Sequence, residues 1–176
     1  MLTSFLVKHG KVIMSACLYQ GAWLSLVFSS VDYSLYILSI FSALHFLFVC
    51  RRVVFWVLSL LTALLGCSID FLLSYLGLID FEHGFPFWLF VLWFVFASSL
   101  PFAFGFLMGR YRLASILGAA GAALAYFVAI SARGDVGFGT FDIWGLAFIA
   151  AYWAVFLPVT LKVFKLGPVQ TDLQPT

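Results

Sequence analysis

This sequence predicts an all-α polytopic membrane protein: one bundle of six transmembrane helices with both ends in the cytoplasm. Three observations predict it. The chain is 65% hydrophobic and 9% charged, with a mean hydropathy of +1.15. Soluble domains carry about 25% charged residues, so this chain has too little polar surface to cover a soluble fold. Its apolar runs are continuous and match the roughly 20 residues, rising 1.5 Å each, that cross the hydrocarbon of a bilayer. Its cations punctuate those runs and collect in alternate turns. Continuous rather than alternating apolarity excludes a β-barrel. A net charge of +2 without a basic patch excludes nucleic acid as a partner and leaves the lipid bilayer as the expected one.

In chain order, residues 1–11 read as a cytoplasmic head bearing Lys8, His9 and Lys11. The first span is 12–29, with Gln20 near its middle and Trp23 beyond it. Its basic start and Val-Phe-Ser ending also fit a cleaved signal peptide, but its length and Trp23 favour an uncleaved span. The second span is 33–50, carrying His45, and Arg51-Arg52 form a tight turn into the third. The third, 53–79, is an apolar run with Asp70 set well inside it. A loop, DFEHGFP, leads to the fourth span, 86–108, which contains Pro101 after Ser98-Ser99. Pro101 is expected to kink that helix and free a carbonyl for a nearby hydroxyl or a neighbouring helix. The tight turn GRYR precedes the fifth span, 113–132, and the Gly-rich RGDVGFGTF loop precedes the sixth, 142–161. Residues 162–176 read as a cytoplasmic tail. Every loop is short, so consecutive helices are expected to be antiparallel neighbours.

In this arrangement Lys8, Lys11, Arg51, Arg52, Arg110, Arg112, Lys162 and Lys165 share one side. Arg133 alone faces the other side, with Asp32, Asp80, Glu82, Asp135 and Asp142. Short loops rich in Lys and Arg stay cytoplasmic, which sets the orientation. Tyr33, Trp88, Phe141 and Trp144 stand at the outer ends of spans, as interfacial anchors do.

The third span divides into two faces. Ser59, Thr62, Gly66, Asp70, Ser74 and Gly77 step by three or four and form one stripe, while the opposite face is Val, Leu, Ile, Phe and Trp. An ionised Asp near mid-bilayer costs roughly 2.5–3.5 kcal/mol on insertion scales, so the stripe is expected to be a buried seam. The fifth span repeats a small residue every four positions, in Ala114, Gly118, Ala122 and in Gly121, Ala125, Ala129. Such ridges bring backbones together. Packing within the chain is the expectation here, and a homodimer or membrane partner bound through residues 114–129 is the alternative.

The polar residues inside the spans are Asp70, His45, Gln20 and Tyr126. Counted at 1.5 Å per residue from the basic turns, Asp70 at ~27 Å falls near Tyr126 at ~21 Å, and Gln20 near His45. Counted from the opposite loops, His45 at ~18 Å falls near Asp70 at ~15 Å. Tilt, or a break near Gly77, decides between these pairings. Trp23, Trp93 and Trp153 lie deep in spans and read as packing residues, or as the lining of a cavity for an apolar or ring-shaped ligand. Cys17, Cys50 and Cys67 lack metal-ligand spacing and read as buried small hydrophobes. No spacing implies a metal or a cofactor, and there is no catalytic or nucleotide motif.

Taken together these positions resemble a known family. The features are QxxW (Gln20, Trp23), a late His in the second span (His45), and a central Asp followed by small residues and Gly, in the stretch DFLLSYLGL that begins at Asp70. They continue with WLxxLWxxFAxxL (Trp88, Leu89, Trp93, Phe96, Ala97, Leu100), GAxGxxLAY (Gly118, Gly121, Leu124, Ala125, Tyr126), and Trp153 with Pro158. The pattern is similar to the bacterial membrane family of domain of unknown function 2878 over nearly the whole chain. Ala122-Ala123 depart from the Gly-Pro usual there, which removes an expected opening of the helix. The resemblance implies a multi-pass protein of the bacterial inner membrane, with relatives encoded beside enzymes that modify fatty acyl chains.

Three functions follow as expectations. The first is a membrane-embedded binding or transport component for a small apolar or lipid-like ligand, lined by Asp70 and the tryptophans. The second is an accessory or scaffold subunit for a lipid-modifying enzyme. The third is an intramembrane enzyme using His45 and Asp70 as acid and base, which requires the two to lie within hydrogen-bond reach, directly or through water. The reading favours a non-enzyme.

Overall fold

The computed structural model describes residues 2–140 and 144–166. Among the described residues there are six α-helices: α1 (Leu2–Phe28), α2 (Ser34–Phe48), α3 (Val53–Tyr75), α4 (Phe87–Ala103), α5 (Tyr111–Ala132) and α6 (Trp144–Leu166). Four helical segments among the described residues are long and apolar enough to cross a membrane: His9–Phe28, Val53–Tyr75, Tyr111–Ala132 and Trp144–Leu166. α2 has 15 residues and α4 has 17. At 1.5 Å per residue they reach only about 22 and 25 Å, short of a hydrocarbon core of about 30 Å.

α4 is the innermost helix. It is apolar all round, as a helix without a lipid-facing side should be, and nearly every residue from Trp88 to Phe102 is at least partly buried. α1, α2 and α3 pack against it, and α5 pairs closely with α6. The α5–α6 contact depends on the small ridge. A Cβ on Gly118 would stand 2.7 Å from the Trp153 carbonyl oxygen, so only glycine allows that approach. Ala114, Gly118, Ala122 and Ala129 are all buried. The ridge is thus largely covered within the chain, which is the expected packing and does not bear on the partner or second copy named as the alternative.

The seam of α3 is where the stripe predicts. Ser59, Gly66 and Asp70 are buried, with Thr62, Ser74 and Gly77 half-buried beside them, while Val57, Leu61, Leu64 and Phe71 face outward. The third helix is shorter than expected, ending at Tyr75 rather than 79. Gly77, at φ +73°, closes it. The N–H of Leu78 donates to the Leu73 carbonyl and that of Gly77 to the Ser74 carbonyl, both at 2.9 Å. This is the Schellman pattern that a left-handed glycine permits.

Beyond that stop lies an element absent from the six-helix expectation, a small antiparallel ribbon. β1 (Ile79–Phe81) pairs with β2 (Val136–Phe138), with Ile79 opposite Phe138 and Phe81 opposite Val136. It joins the α3–α4 loop to the α5–α6 loop. The N–H groups of Glu82 and Gly139 extend it by donating to the carbonyls of Asp135 and Leu78, each at 3.3 Å.

Other boundaries also differ from the expectation. α1 is helical from Leu2, so the expected head is part of the helix. α4 ends at Ala103 and gives way to a 3-10 turn, Gly105–Leu107. Pro101 stands in its last turn, where it helps to stop the helix rather than kink its middle. The hydroxyls of Ser98 and Ser99 have no partner, so neither serves the freed carbonyl. α6 runs on to Leu166, past the expected 161. The expected start of the sixth span, the anchor Phe141 and the tail beyond 166 lie outside the described residues.

The two ends of the bundle differ in charge. Lys11 lies beside Arg51 and Arg52, and Lys165 lies beside Gly109 in the α4–α5 turn, so the exposed cations gather at one end. The ribbon and its exposed acids, Asp80 and Glu82, mark the other.

Candidate functional site

A cavity of about 180 Å³ lies among α1, α4, α5 and α6 beneath the ribbon. α1 contributes Tyr19 and Trp23, and α4 contributes Trp88, Trp93 and Phe96. α5 contributes Gly118, Gly121, Ala122, Ala125 and Tyr126, α6 adds Trp153 and Leu157, and the ribbon roofs the space with Ile79, Phe81 and Val136. Trp93 and Trp153 stack at 5.1 Å with their planes 10° apart, and Phe96 meets Trp153 edge-on at 5.1 Å. α1 and α5 approach each other at only a few positions. Leu117 and Gly121 are both exposed and both line the cavity, so this gap opens it sideways. The remaining part of the small-residue ridge therefore has a second use. Nothing lies within 4 Å of a Cβ on Gly121, and its missing side chain is part of the cavity volume.

Asp70 stands behind this wall rather than in it. It is fully buried and is absent from the cavity lining. Trp93 Nε1 donates to Asp70 Oδ2 at 2.5 Å, and the Tyr126 hydroxyl bonds Oδ1 at 2.5 Å. Both partners present their rings to the cavity. Gly66, one turn before Asp70, makes this possible, because a Cβ there would overlap the Trp93 indole. One carboxyl group on α3 thus fixes an aromatic wall contributed by α4 and α5.

His45 occupies a separate compartment. It is fully buried, stacked on Phe55 at 5.5 Å with planes 4° apart, and bordered by Phe41, Trp56 and Phe102. Its Nε2 lies 3.4 Å from the Ser15 hydroxyl, and its Nδ1 has no hydrogen-bond partner. Phe55 and Asp70 are fifteen positions apart on α3, about 22 Å along the axis. A proton cannot pass directly between His45 and Asp70, so the acid–base pair of the third expectation has no direct contact.

A second polar cluster ties the ribbon to the bundle. Arg133 grips Asp135 through two bonds, Nε to Oδ1 at 2.7 Å and Nη2 to Oδ2 at 2.9 Å. Trp88 Nε1 donates to the same carboxylate at 2.8 Å, and the guanidinium lies 4.1 Å above the Trp88 ring. Arg133 Nη1 also donates to the carbonyls of Leu26, at 2.5 Å, and Ser29, at 3.4 Å, where α1 ends. It thereby satisfies carbonyls that the helix itself leaves free. The Arg133 guanidinium holds the Asp135 carboxyl below the usual carboxylate range.

The family described as Protein of unknown function (DUF2878) matches residues 12–159 of this chain. The chain belongs to that family. No curated protein and no solved structure matches it.

Of the polar seam expected for this DUF2878 member, Asp70, Tyr126 and Trp93 come together as one hydrogen-bonded unit. Trp23 and Trp153 join them around the cavity. Gln20 does not, being exposed on the outer face of α1 one position from Tyr19. A count of depth along a helix says nothing about rotation about its axis, which is why Gln20 was grouped with His45. Cys50 is buried as expected, but Cys17 is exposed and Cys67 only half-buried. A thiol is apolar enough to sit on an outward helix face. Tyr33 and Trp144 are exposed at helix ends, as interfacial anchors should be, whereas Trp88 is buried against Asp135. The Arg133–Asp135–Trp88 cluster was missed. The available signal was Arg133 itself, a lone cation in the acidic loops.

Proposed function

We propose that this protein is a membrane-embedded binding or transport component for a small apolar or lipid-like ligand, housed between α1, α4, α5 and α6. The cavity carries this reading: it is lined by aromatic and small apolar side chains and opens sideways between two helices. A ligand dissolved in the bilayer would enter through that gap without crossing water. In this reading all six helices span a bacterial inner membrane and the basic end faces the cytoplasm. α2 and α4 reach across through the short turns that flank them, or with local thinning of the bilayer.

Heavy-atom quenching tests the reading. The detergent-solubilised protein is titrated with bromobenzene, which quenches tryptophans that it touches. Saturable quenching through Trp93 and Trp153 is the expected result, and it is lost in Gly121→Phe, whose ring fills the cavity. Quenching that rises without saturation, to the same extent in both proteins, would refute the reading.

A further inference from the structure

We infer that the ligand of this cavity is a hydrophobic cation, a substituted ammonium group carried on an apolar body. This deepens the proposed function and rests on it. The observation is the juxtaposition of Asp70 with the aromatic wall. Asp70 is fully buried on a membrane helix, and both groups that bond it, the Trp93 indole and the Tyr126 phenol, are neutral. An acidic side chain at that depth is costly, and burial is tolerated when a countercharge is near. Among the described residues Asp70 forms no ion pair, and Arg133 is committed to Asp135. The same two aromatic side chains that hold Asp70 turn their rings to the cavity, joined there by Tyr19, Phe96 and Trp153.

Aromatic faces carry negative charge density and attract an ammonium group, most strongly where water is excluded. Hydrogen bonding to Asp70 polarises both rings in the direction that strengthens this attraction. The carboxylate lies one side chain deeper, so its field reaches the cavity while its oxygens stay occupied. A neutral hydrocarbon would have no use for that arrangement, and an anion would be repelled by it. The lateral gap suits an amphiphile whose charged group enters while its chain remains in lipid.

Two isosteres separate charge from shape. Benzyltrimethylammonium and neopentylbenzene differ in one atom, nitrogen for carbon, and each is used to displace bromobenzene in the quenching assay, with concentrations corrected for partition into micelles. The cation is expected to compete at least about tenfold more strongly. Asp70→Asn is expected to bring the two within about twofold of each other, the ratio being read at whatever bromobenzene affinity the variant retains. Equal competition by both in the unsubstituted protein overturns the cation inference and leaves the cavity reading standing. Absence of saturable quenching removes both. A cation preference that survives Asp70→Asn overturns the role given to Asp70. Should that variant fail to fold, the isostere comparison in the unsubstituted protein decides alone.

Discussion

At Gly66 a single methyl group decides whether Trp93 can reach Asp70. Alanine at an unconstrained helical glycine is stabilising by about 0.4–1 kcal/mol, because it restricts the unfolded chain. At Gly66 the added carbon meets the indole, and overpacking of this kind costs about 1–3 kcal/mol. Gly66→Ala is therefore expected to lower the thermal midpoint in detergent, whereas Gly21→Ala, with nothing within 4 Å of its Cβ, leaves it unchanged or raises it. A Gly66→Ala protein as stable as the Gly21→Ala control would mean that Trp93 has room to spare. At this scale the sequence was informative where spacing sets the answer. Ser59, Gly66 and Asp70 fall on one face by counting alone, whereas depth offered both Tyr126 and His45 as partners of Asp70 and did not choose between them. It was uninformative where the answer depends on rotation or on partners far along the chain, as Gln20 and Arg133 show.

Among the elements, the ribbon is the one held from outside its own hydrogen bonds. Two strands of three residues are too short to be stable alone. Arg133 supplies the tether, joining β2 through Asp135 to α4 through Trp88 and to the end of α1. Arg133→Ala is expected to speed amide exchange in residues 79–82 and 136–139, with the centres of α3 and α4 unaffected. Unchanged ribbon exchange would show that the clamp carries no such restraint. The pH dependence follows from Asp135. Its folded value is depressed, so its contribution is present above the unfolded value of about 3.9 and is lost as pH falls through the lower folded value. Ribbon protection is thus expected to persist through neutral and weakly acid conditions and to fade below about pH 4 in the unsubstituted protein, but not in Asp135→Asn, where it is already low. The strands were invisible in the sequence for a physical reason. IDF and VGF are too short to show a two-residue period, and their pairing spans the whole of α4 and α5.

For the whole molecule, the testable quantity is its polarity of charge. Exposed Arg51, Arg52, Arg110, Arg112, Lys162 and Lys165 stand at helix ends away from the ribbon, where the exposed acids are Asp80 and Glu82. Arg133, the exception to that segregation, is 6% exposed in its side chain and is neutralised by Asp135. A cysteine placed at Glu82 is expected to react with a membrane-impermeant maleimide from outside intact cells, in a background with Cys17, Cys50 and Cys67 replaced. One at Arg110 is expected to react only after permeabilisation. Labelling of both from the same side would overturn the six-span orientation. The bundle was legible because the apolar runs that form its helices are continuous, whereas the exact helix ends were not. Gly77 and Pro101 stop their helices inside apolar runs, so hydropathy continues past the point where the helix ends.

The sideways mouth between α1 and α5 changes what an affinity would mean for this protein. On the proposed membrane-embedded reading, an occupant arriving through it is drawn from the bilayer phase, so the concentration that governs occupancy is the mole fraction in lipid. Lengthening an alkyl tail by one methylene enriches the compound in that phase by about 0.8 kcal/mol, roughly fourfold, before any contact with the protein is made. Aqueous dissociation constants across a homologous series should consequently fall about fourfold per methylene, while the same data expressed per lipid stay nearly flat.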